Sequence, residues 1–226
     1  MPNVMPTGTN FPRRINMYVP AMQYAMDVNI NGACRVNFGA PLASVATNVA
    51  SAVSIAAALT VDLTAVTPFP EPFGRTLVIV ASGAATSTVL VNGWDYLHQP
   101  IAERVTLAGA TPVQMKKAFK DFNNLVIDNF TAATTINLGS GTGLGVPYKA
   151  IRVAWEVANG VAAAAGTLTA GVLTDPQTAT TGDPRGTYVP TTTLNGTNII
   201  SAAFDFVNDV NTANNGGLHG IKQFAA

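Results

Sequence analysis

The histidines and the single cysteine are the residues that could supply a nucleophile or its base. The 226 residues include only two histidines, His98 and His219, and one cysteine, Cys34. Nucleophilic catalysis needs a serine or cysteine within reach of a base, and neither histidine lies near a motif such as Gly-x-Ser-x-Gly. One cysteine offers neither a disulfide nor a metal-binding spacing. We therefore expect no catalytic residue, no metal site and no cofactor, and interpret Cys34 as a small buried hydrophobe.

Two further patterns could carry chemistry, and neither is specific. Glu103 and Glu156 could act as the acid and base of a glycosidase, but nothing in their spacing favours that role. The glycine-rich residues 139–145 lack the lysine of a phosphate-binding loop, and Pro147 follows at once. We predict a long β-connection there, whose glycines supply positive φ. The sequence therefore favours a protein that is not an enzyme.

Charge is scarce in this chain. Charged residues make up 11% of the sequence, against about 25% in an average globular protein, and the formal net charge is zero. A surface of this kind loses little hydration energy when it is buried against a partner. The composition favours a chain that works inside an assembly, with a neutral monomer rich in surface threonine and asparagine as the alternative.

The basic residues are too few to form a phosphate-binding surface. Lys116, Lys117 and Lys120 are the nearest approach to a basic patch, and we interpret them as a solvated face. Arg13 and Arg14 form the other basic pair. Since a nucleic-acid-binding protein carries a basic patch or stripe, we expect no nucleic-acid partner.

We expect no signal peptide in the first residues, which lack a charged start followed by an apolar run, and residues 42–61 are too polar for us to predict a membrane span. We expect a soluble protein made in a reducing cytoplasm, without a membrane partner. Residues 1–20 hold four prolines, which favour extended backbone. This extended N-terminal arm could dock on a neighbour, form a first strand on its own domain or be disordered, and the sequence leaves all three open.

The rest of the pattern is mainly β. The runs at residues 76–80, 88–92 and 101–107 predict a meander of three strands. Glu103 interrupts the apolar face of the third strand, which indicates an edge or an interface. Met115, Phe119, Phe122 and Val126 recur at helical spacing and predict one short helix over residues 113–126.

Later signals continue the β pattern. We predict a hairpin turn at Asn31-Gly32 and a type I turn at residues 183–186. Further strands are expected at residues 135–138, 149–157 and 198–207, with a hairpin inside 161–173. The predicted fold is all-β, a β-sandwich or jelly-roll-like domain over residues 21–226 with at most one short helix. An insertion or subdivision near residues 110–140 is left open.

One block of the chain resembles structural proteins of tailed bacteriophages, namely head decoration, cement or other minor virion components. In the pattern, a strand beginning Gly-Arg pairs with a strand leading into a Gly-x-Asp turn, and Gln-Pro-Ile-x-Glu and Lys-x-Phe strands follow. The matching residues are Gly74-Arg75, Gly93-Trp94-Asp95, Gln99-Pro100-Ile101-Ala102-Glu103, Thr106-Leu107-Ala108-Gly109 and Lys117-Ala118-Phe119-Lys120, with Thr187-Tyr188-Val189-Pro190 after Asp183-Pro184-Arg185-Gly186.

The resemblance implies a β-sandwich or jelly roll that forms a homodimer or homotrimer on the virion and binds the major capsid protein. It also implies a strand at residues 113–120, against the helical spacing. The expected function is decoration or cementing of the capsid shell. The candidate interface residues are Phe11, Arg13, Arg14, Tyr18, Trp94, Tyr96 and Arg185.

Two other functions remain open from the sequence. One is a tail, adaptor or fibre-base protein of the virion. The other is a β-sandwich that binds host carbohydrate, for which Trp94, Asp95 and Tyr96 would supply an aromatic platform and a carboxylate. Trp94 and Tyr96 could equally cap the core, because loop aromatics serve either purpose.

Overall fold

The structure, a computed structural model, describes residues 33–172 and 178–206. These residues form fourteen β-strands and no helix, which confirms the all-β prediction. No helix among them could therefore cross a lipid bilayer. The strands are β1 (Ala33–Gly39), β2 (Ala50–Ile55), β3 (Thr60–Asp62), β4 (Arg75–Ala81), β5 (Thr88–Trp94), β6 (Pro100–Thr106), β7 (Val113–Gln114), β8 (Asp121–Asn129), β9 (Thr134–Gly145), β10 (Ala150–Ala158), β11 (Val161–Ala163), β12 (Thr167–Ala170), β13 (Gly186–Val189) and β14 (Ile200–Phe206).

The strands form three antiparallel sheets, an arrangement consistent with a β-sandwich-like fold. Sheet A has the order β1-β14-β10-β11. Sheet B has the order β12-β13-β9-β4-β7, and β2 also pairs with β9. Sheet C has the order β3-β8-β5-β6. Sheet B supplies residues to both hydrophobic cores, while sheets A and C each supply residues to one of them.

Core 1 joins sheets B and C, and core 2 joins sheets A and B. Core 1 contains Leu77 and Ile79 of β4 together with Val89 and Val91 of β5, and all four side chains are fully buried. Core 2 is smaller and more aromatic. Its rings come from four parts of the chain, and Phe38 contacts each of the other three: Phe73, Tyr188 and Phe204.

Strand β9 passes from one core to the other. Leu138 belongs to core 1 and Leu144 to core 2, and the glycine-rich residues lie between them. The prediction of a loop at residues 139–145 was therefore wrong. A Cβ on Gly139 would lie 2.0 Å from the carbonyl oxygen of Val45, and one on Gly145 would lie 2.1 Å from that of Phe73. The glycines serve close approach of neighbouring backbone rather than positive φ.

Three local predictions were wrong because neighbouring segments join different sheets. Strands β5 and β6 form the predicted hairpin, but β4 pairs with β9 and β7 instead of β5. Residues 113–126 hold β7 and the start of β8 instead of a helix. Within residues 161–173, β11 pairs with β10 and β12 pairs with β13, so they form no hairpin together.

The other strand predictions agree with the structure. Strand β10 covers the predicted 149–157 except its first residue, and β14 covers most of 198–207. Strand β6 is an edge strand of sheet C, as the position of Glu103 indicated. The N-terminal arm over residues 1–20 and the turn at Asn31-Gly32 lie outside the described residues.

Candidate functional site

The candidate interface residues do not form one exposed surface. Phe11, Arg13, Arg14 and Tyr18 lie outside the described residues. Trp94, at the end of β5, and Tyr96, in the following turn, are half-buried. Arg185 is only 1% exposed. Its side chain is an internal residue of this fold, which corrects the prediction that it anchors a surface contact.

Arg185 forms a buried ion pair with Asp95. Its Nη1 atom donates to Asp95 Oδ2 at 2.8 Å, and the two side chains are 2% and 1% exposed. The other carboxylate oxygen of Asp95 accepts the N–H groups of Leu97 and Gln99, which fixes the tight turn between β5 and β6. Because both oxygens are used and buried, the carboxylate of Asp95 does not face a sugar in the way the carbohydrate hypothesis requires.

Tyr96 packs inward beside this pair. The guanidinium carbon of Arg185 lies 5.1 Å from the ring centroid of Tyr96, a cation–π distance. The hydroxyl of Tyr96 donates to the carbonyl of Pro147 at 2.6 Å, and the ring meets Phe73 edge to face. Burial raises the pKa of Tyr96. Tyr96 therefore acts as a core cap, the alternative that the sequence left open.

Asp183 links the turn before β13 to the segment before β8. Its Oδ1 accepts the N–H groups of Arg185 and Gly186, and its Oδ2 accepts the N–H of Ala118 at 3.0 Å. The local bonds follow from the Asp-Pro-x-Gly sequence, because aspartate at the first turn position accepts N–H groups two and three residues on. Burial raises the pKa of Asp183, against the opposing effect of the Arg185 charge.

Glu103 makes the matching link from β6. Its two carboxylate oxygens accept the N–H groups of Lys116 and Lys117, each at 2.7 Å. Burial raises the pKa of Glu103 to about 7, although these two hydrogen bonds and the charge of Lys117 act in the opposite direction. Its side chain interrupts an apolar face because it satisfies buried backbone donors that have no strand partner.

The lysines after β7 do not form a solvated face. Lys116 is exposed, but Lys117 is 0% exposed and its Nζ donates to the carbonyl of Thr178 at 2.9 Å. Burial lowers the pKa of Lys117, while the charges of Asp183 and Glu103 raise it. We call Asp95, Glu103, Lys117, Asp183 and Arg185 the buried charge network.

Arg75 and Lys120 are the two charged residues of the resemblance that lie outside the buried charge network, and both bind the segment before β4. Arg75 is 1% exposed and forms a salt bridge with Glu71 at 3.1 Å. The same Nη1 atom that forms this salt bridge also donates to the carbonyl of Leu42 at 2.7 Å, and Nε donates to the carbonyl of Gly141 at 2.6 Å. The Nζ atom of Lys120 donates to the carbonyls of Phe69 and Glu71. The bonds to residues 69–71 hold this irregular segment against the start of β4 and the segment before β8.

Glu156 lies in a separate buried site between β10 and β13. It accepts a hydrogen bond from the Tyr188 hydroxyl at 2.5 Å and further bonds from the backbone N–H groups and hydroxyls of Thr191 and Thr192. Burial opposes ionisation of Glu156, but these hydrogen bonds prevail and lower its pKa. Glu103 and Glu156 thus have separate donor sets, and the structure does not pair them as a glycosidase acid and base.

What the described side chains can do chemically is mainly structural. No group of three or more histidine, cysteine, aspartate or glutamate residues among them is placed to hold a metal ion. An open groove of about 280 Å³ lies beside β13 and is lined by threonines with Val189, Pro190 and Leu194. The hydroxyls of Thr191 and Thr192 in its wall are already bonded to Glu156.

An exposed aromatic side chain on β10 was not predicted from the sequence. Trp155 is 41% exposed, and Ile151 on the same strand is 55% exposed. Apolar residues at 153, 155 and 157 alternate along the strand and predict that all three side chains share one buried face. A bulge between Val153 and Trp155 moves Trp155 to the opposite face of the sheet, and a bulge is hard to predict from alternation alone.

Comparison with known proteins adds no relative to this picture. The sequence matches no family model, and neither a curated protein nor a solved structure matches the chain.

Proposed function

We propose that this chain is a non-enzymatic structural component of a bacteriophage virion, which decorates or cements the capsid shell by binding across capsomers. The proposal rests on the resemblance of residues 74–120 and 183–190 to virion structural proteins, together with the low charge of the chain. Its expected partners are the major capsid protein and further copies of itself.

One structural observation supports the proposal most directly. Asp95, Glu103, Lys117 and Arg185 belong to the resemblance pattern although they are distant in sequence, and all are at most 2% exposed and bonded inside the chain. The pattern therefore specifies internal connections between loops and strands. Such connections suit a protein whose task is to keep its shape under load.

Cementing follows from mass action. A protein that binds only the assembled shell stabilises the shell, and the stabilisation grows with the logarithm of the protein concentration divided by its dissociation constant. A low-charge surface favours such binding, because few charges must lose their hydration when the contact forms. The mechanism is the added free energy of separating neighbouring capsomers, and it needs no chemical step.

The first test is a count of this chain in purified virions against the major capsid protein, by quantitative mass spectrometry. Hundreds of copies per particle would support shell decoration, because a closed symmetric shell repeats each contact many times. About a dozen copies or fewer would favour the second candidate, a tail or adaptor protein at a symmetric ring. Absence of the chain from the particle would overturn the virion proposal.

A second test measures cementing itself. Shells lacking this chain are heated with and without the purified full chain, and release of the packaged genome is followed by dye fluorescence. Cementing predicts a higher release temperature with the chain present. An unchanged release temperature at saturating binding would contradict it. The matched control is the chain unfolded beforehand, which separates specific binding from a general protein effect.

A further inference from the structure

Six residues before β13 lie across the edge of sheet C. We call these residues, 178–183, the strap. The carbonyl of Ala179 accepts the N–H of Arg104 in β6 at 2.7 Å, and the carbonyl of Thr178 accepts Nζ of Lys117 at 2.9 Å. Because β6 is an edge strand of sheet C, the strap covers backbone polar groups that no neighbouring strand of that sheet can pair.

Polar contacts hold the strap more than apolar packing does. Ala179 is the one apolar side chain among these six residues and is 8% exposed, whereas Thr178 and Thr180 are exposed. Segments with few buried apolar contacts open at a low cost in free energy. The polar groups beneath the strap therefore decide how firmly it stays closed.

Two carboxylates from distant parts of the chain meet at this contact. Glu103 of β6 accepts the N–H groups of Lys116 and Lys117. Asp183, the last residue of the strap, accepts the N–H of the next residue, Ala118. Three consecutive N–H groups thus bring two acids onto one short backbone segment, and both acids are at most 4% exposed. When like charges share one enclosed site, the pair retains a proton more readily than either acid alone.

The charged side chains around the two acids do not compensate both of them. The enclosed ones are Lys117, Asp95 and Arg185, and those whose side chains are exposed are Arg104 and Lys116. Asp95 and Arg185 pair with each other at 2.8 Å. Lys117 is then the remaining cation of the buried charge network for two acids, so with every group ionised this network carries one negative charge in excess.

We propose that the strap is controlled by a proton: it fastens to sheet C when Glu103 and Asp183 together hold one, and it loosens when that proton is released. In the closed form burial raises the pKa of Glu103 to about 7, whereas in an open form this carboxyl returns towards its usual pKa of 4.5. The closed form therefore binds more protons, so opening grows as the pH rises from about 4.5 to about 7 and then levels off. Burial also raises the pKa of Asp183, which acts in the same direction.

The inference goes beyond the proposed function, and its test needs only the purified full chain. Amide hydrogen exchange is followed by NMR from about pH 5 to about pH 7, and each rate is divided by that of an unstructured peptide at the same pH. The reporter is the N–H of Arg104, which bonds to the strap. The reference is the N–H of Val105, which points towards β5 because successive residues of a strand alternate.

Release of one proton changes an opening equilibrium by up to about tenfold per pH unit. Opening at Arg104 should therefore rise at least about tenfold over this range of pH. Arg104 should also open more readily than Val105 at every pH, because the strap can detach while the pairing of β5 with β6 stays intact.

Three variants identify the groups that hold the proton. Glu103→Gln and Asp183→Asn each leave one acid for Lys117, so the pH-dependent change at Arg104 should fall below about threefold. The matched control is Asp128→Asn, which also removes a carboxylate from sheet C. Because Asp128 pairs with the Arg104 side chain at the surface, 2.7 Å away, its loss should leave the pH dependence intact.

Three results would overturn the proposal. The first is an opening ratio at Arg104 that is the same at both ends of the pH range. The second is equal opening at Arg104 and Val105, because the strap would then open only when the whole chain unfolds. The third is a pH dependence that persists in both acid variants. Melting curves show whether each variant folds, and if Glu103→Gln does not fold, Asp183→Asn decides.

Discussion

Arg185 and Asp95, ninety positions apart in the sequence, meet in a salt bridge of 2.8 Å that is almost fully buried. The pair ties the start of β13 to the turn between β5 and β6, and so connects sheet B with sheet C. Removing one partner leaves the other charge buried without its counter-charge, whereas removing both charges leaves none. The consequences can be separated by mutation.

We expect Arg185→Met and Asp95→Asn each to lower the free energy of unfolding by about 3 kcal/mol. Asparagine at residue 95 keeps the oxygen that accepts the N–H groups of Leu97 and Gln99, so the turn is preserved. The double variant should lose clearly less than the sum of the single losses, as measured by urea unfolding. Strict additivity would show that the pair carries no coupling.

An exposed pair provides the control for this cycle. Arg152 and Asp205 lie 2.5 Å apart, but the Arg152 side chain is 72% exposed. Exposed pairs contribute about 0–1 kcal/mol because water and salt screen them. Arg152→Met should therefore change the free energy of unfolding by less than about 1 kcal/mol, and a larger loss would contradict burial as the cause of the difference.

Glu103 should make stability fall as the pH rises from about 4.5 to about 7. Burial raises its pKa from 4.5 to about 7, so the folded chain retains a proton that the unfolded chain releases. The resulting stabilisation is complete below about pH 4.5 and is lost as the pH rises to about 7, an effect of up to about 3 kcal/mol. The measurement is urea unfolding of wild type and Glu103→Gln at several pH values.

The glutamine variant isolates this residue from Lys117 and Asp183, which face the same carboxylate and also titrate. Glu103→Gln should be less stable at acid pH, because its amide group meets one of the two backbone N–H donors. Its stability should change less between pH 5 and pH 8 (a window of about 3 pH units around the raised pKa). Parallel pH profiles for the two chains would refute the assignment to Glu103.

Gly139 should tolerate no side chain. A Cβ there would lie 2.0 Å from the Val45 carbonyl oxygen and 2.3 Å from the carbonyl carbon of Ala46, both backbone atoms. Gly139→Ala is expected to cost about 2–3 kcal/mol of unfolding free energy, because the β9 backbone and the neighbouring loop must move apart. Gly83→Ala is the control, since its Cβ would meet only the Thr134 hydroxyl at 3.5 Å. Equal melting temperatures for both variants would contradict the close approach.

Cys34 should react slowly with thiol reagents in the folded chain. Its side chain is 2% exposed on β1, at the position opposite Phe204 of β14. Labelling then requires opening of sheet A, and such local opening limits reagent access. We expect labelling by a chromogenic disulfide reagent at least about 100-fold slower than in urea. Comparable rates in the two conditions would mean that β1 is open much of the time.

The sequence predicted the class of fold but not the partners of the strands. The apolar runs of β4, β5 and β6 were located correctly, because continuous apolar residues report burial directly. Their pairing depends on how the chain crosses between sheets. The short connection after β4 is typical of a hairpin, although β4 pairs with β9 and not with β5. The helical spacing is a coincidence of two segments: Met115 and Phe119 lie in irregular backbone between β7 and β8, Phe122 lies in β8, and all three side chains are in core 1.

Only part of the buried charge network could be predicted from the sequence. The Asp-Pro-x-Gly turn at residue 183 was predicted from local chemistry, and its local hydrogen bonds follow that prediction. Its long-range contacts were not predictable, since the bond from Ala118 spans sixty-five positions. The prediction for Lys117 was wrong because three lysines in five residues normally face water. Its burial depends on a long-range contact, the bond to the carbonyl of Thr178. Only the packing of the two loops decides that one of them is enclosed.

The passage of β9 through both cores makes the chain mechanically continuous. Twelve residues of extended backbone measure about 40 Å, and they are hydrogen-bonded to β2, β4 and β13 in turn. Because β9 of sheet B packs against sheet A through core 2 and against sheet C through core 1, a load on sheet A is transmitted to sheet C through the two cores and one continuous strand, rather than through a hinge. The two cores should accordingly stretch, soften and melt together as one mechanical unit.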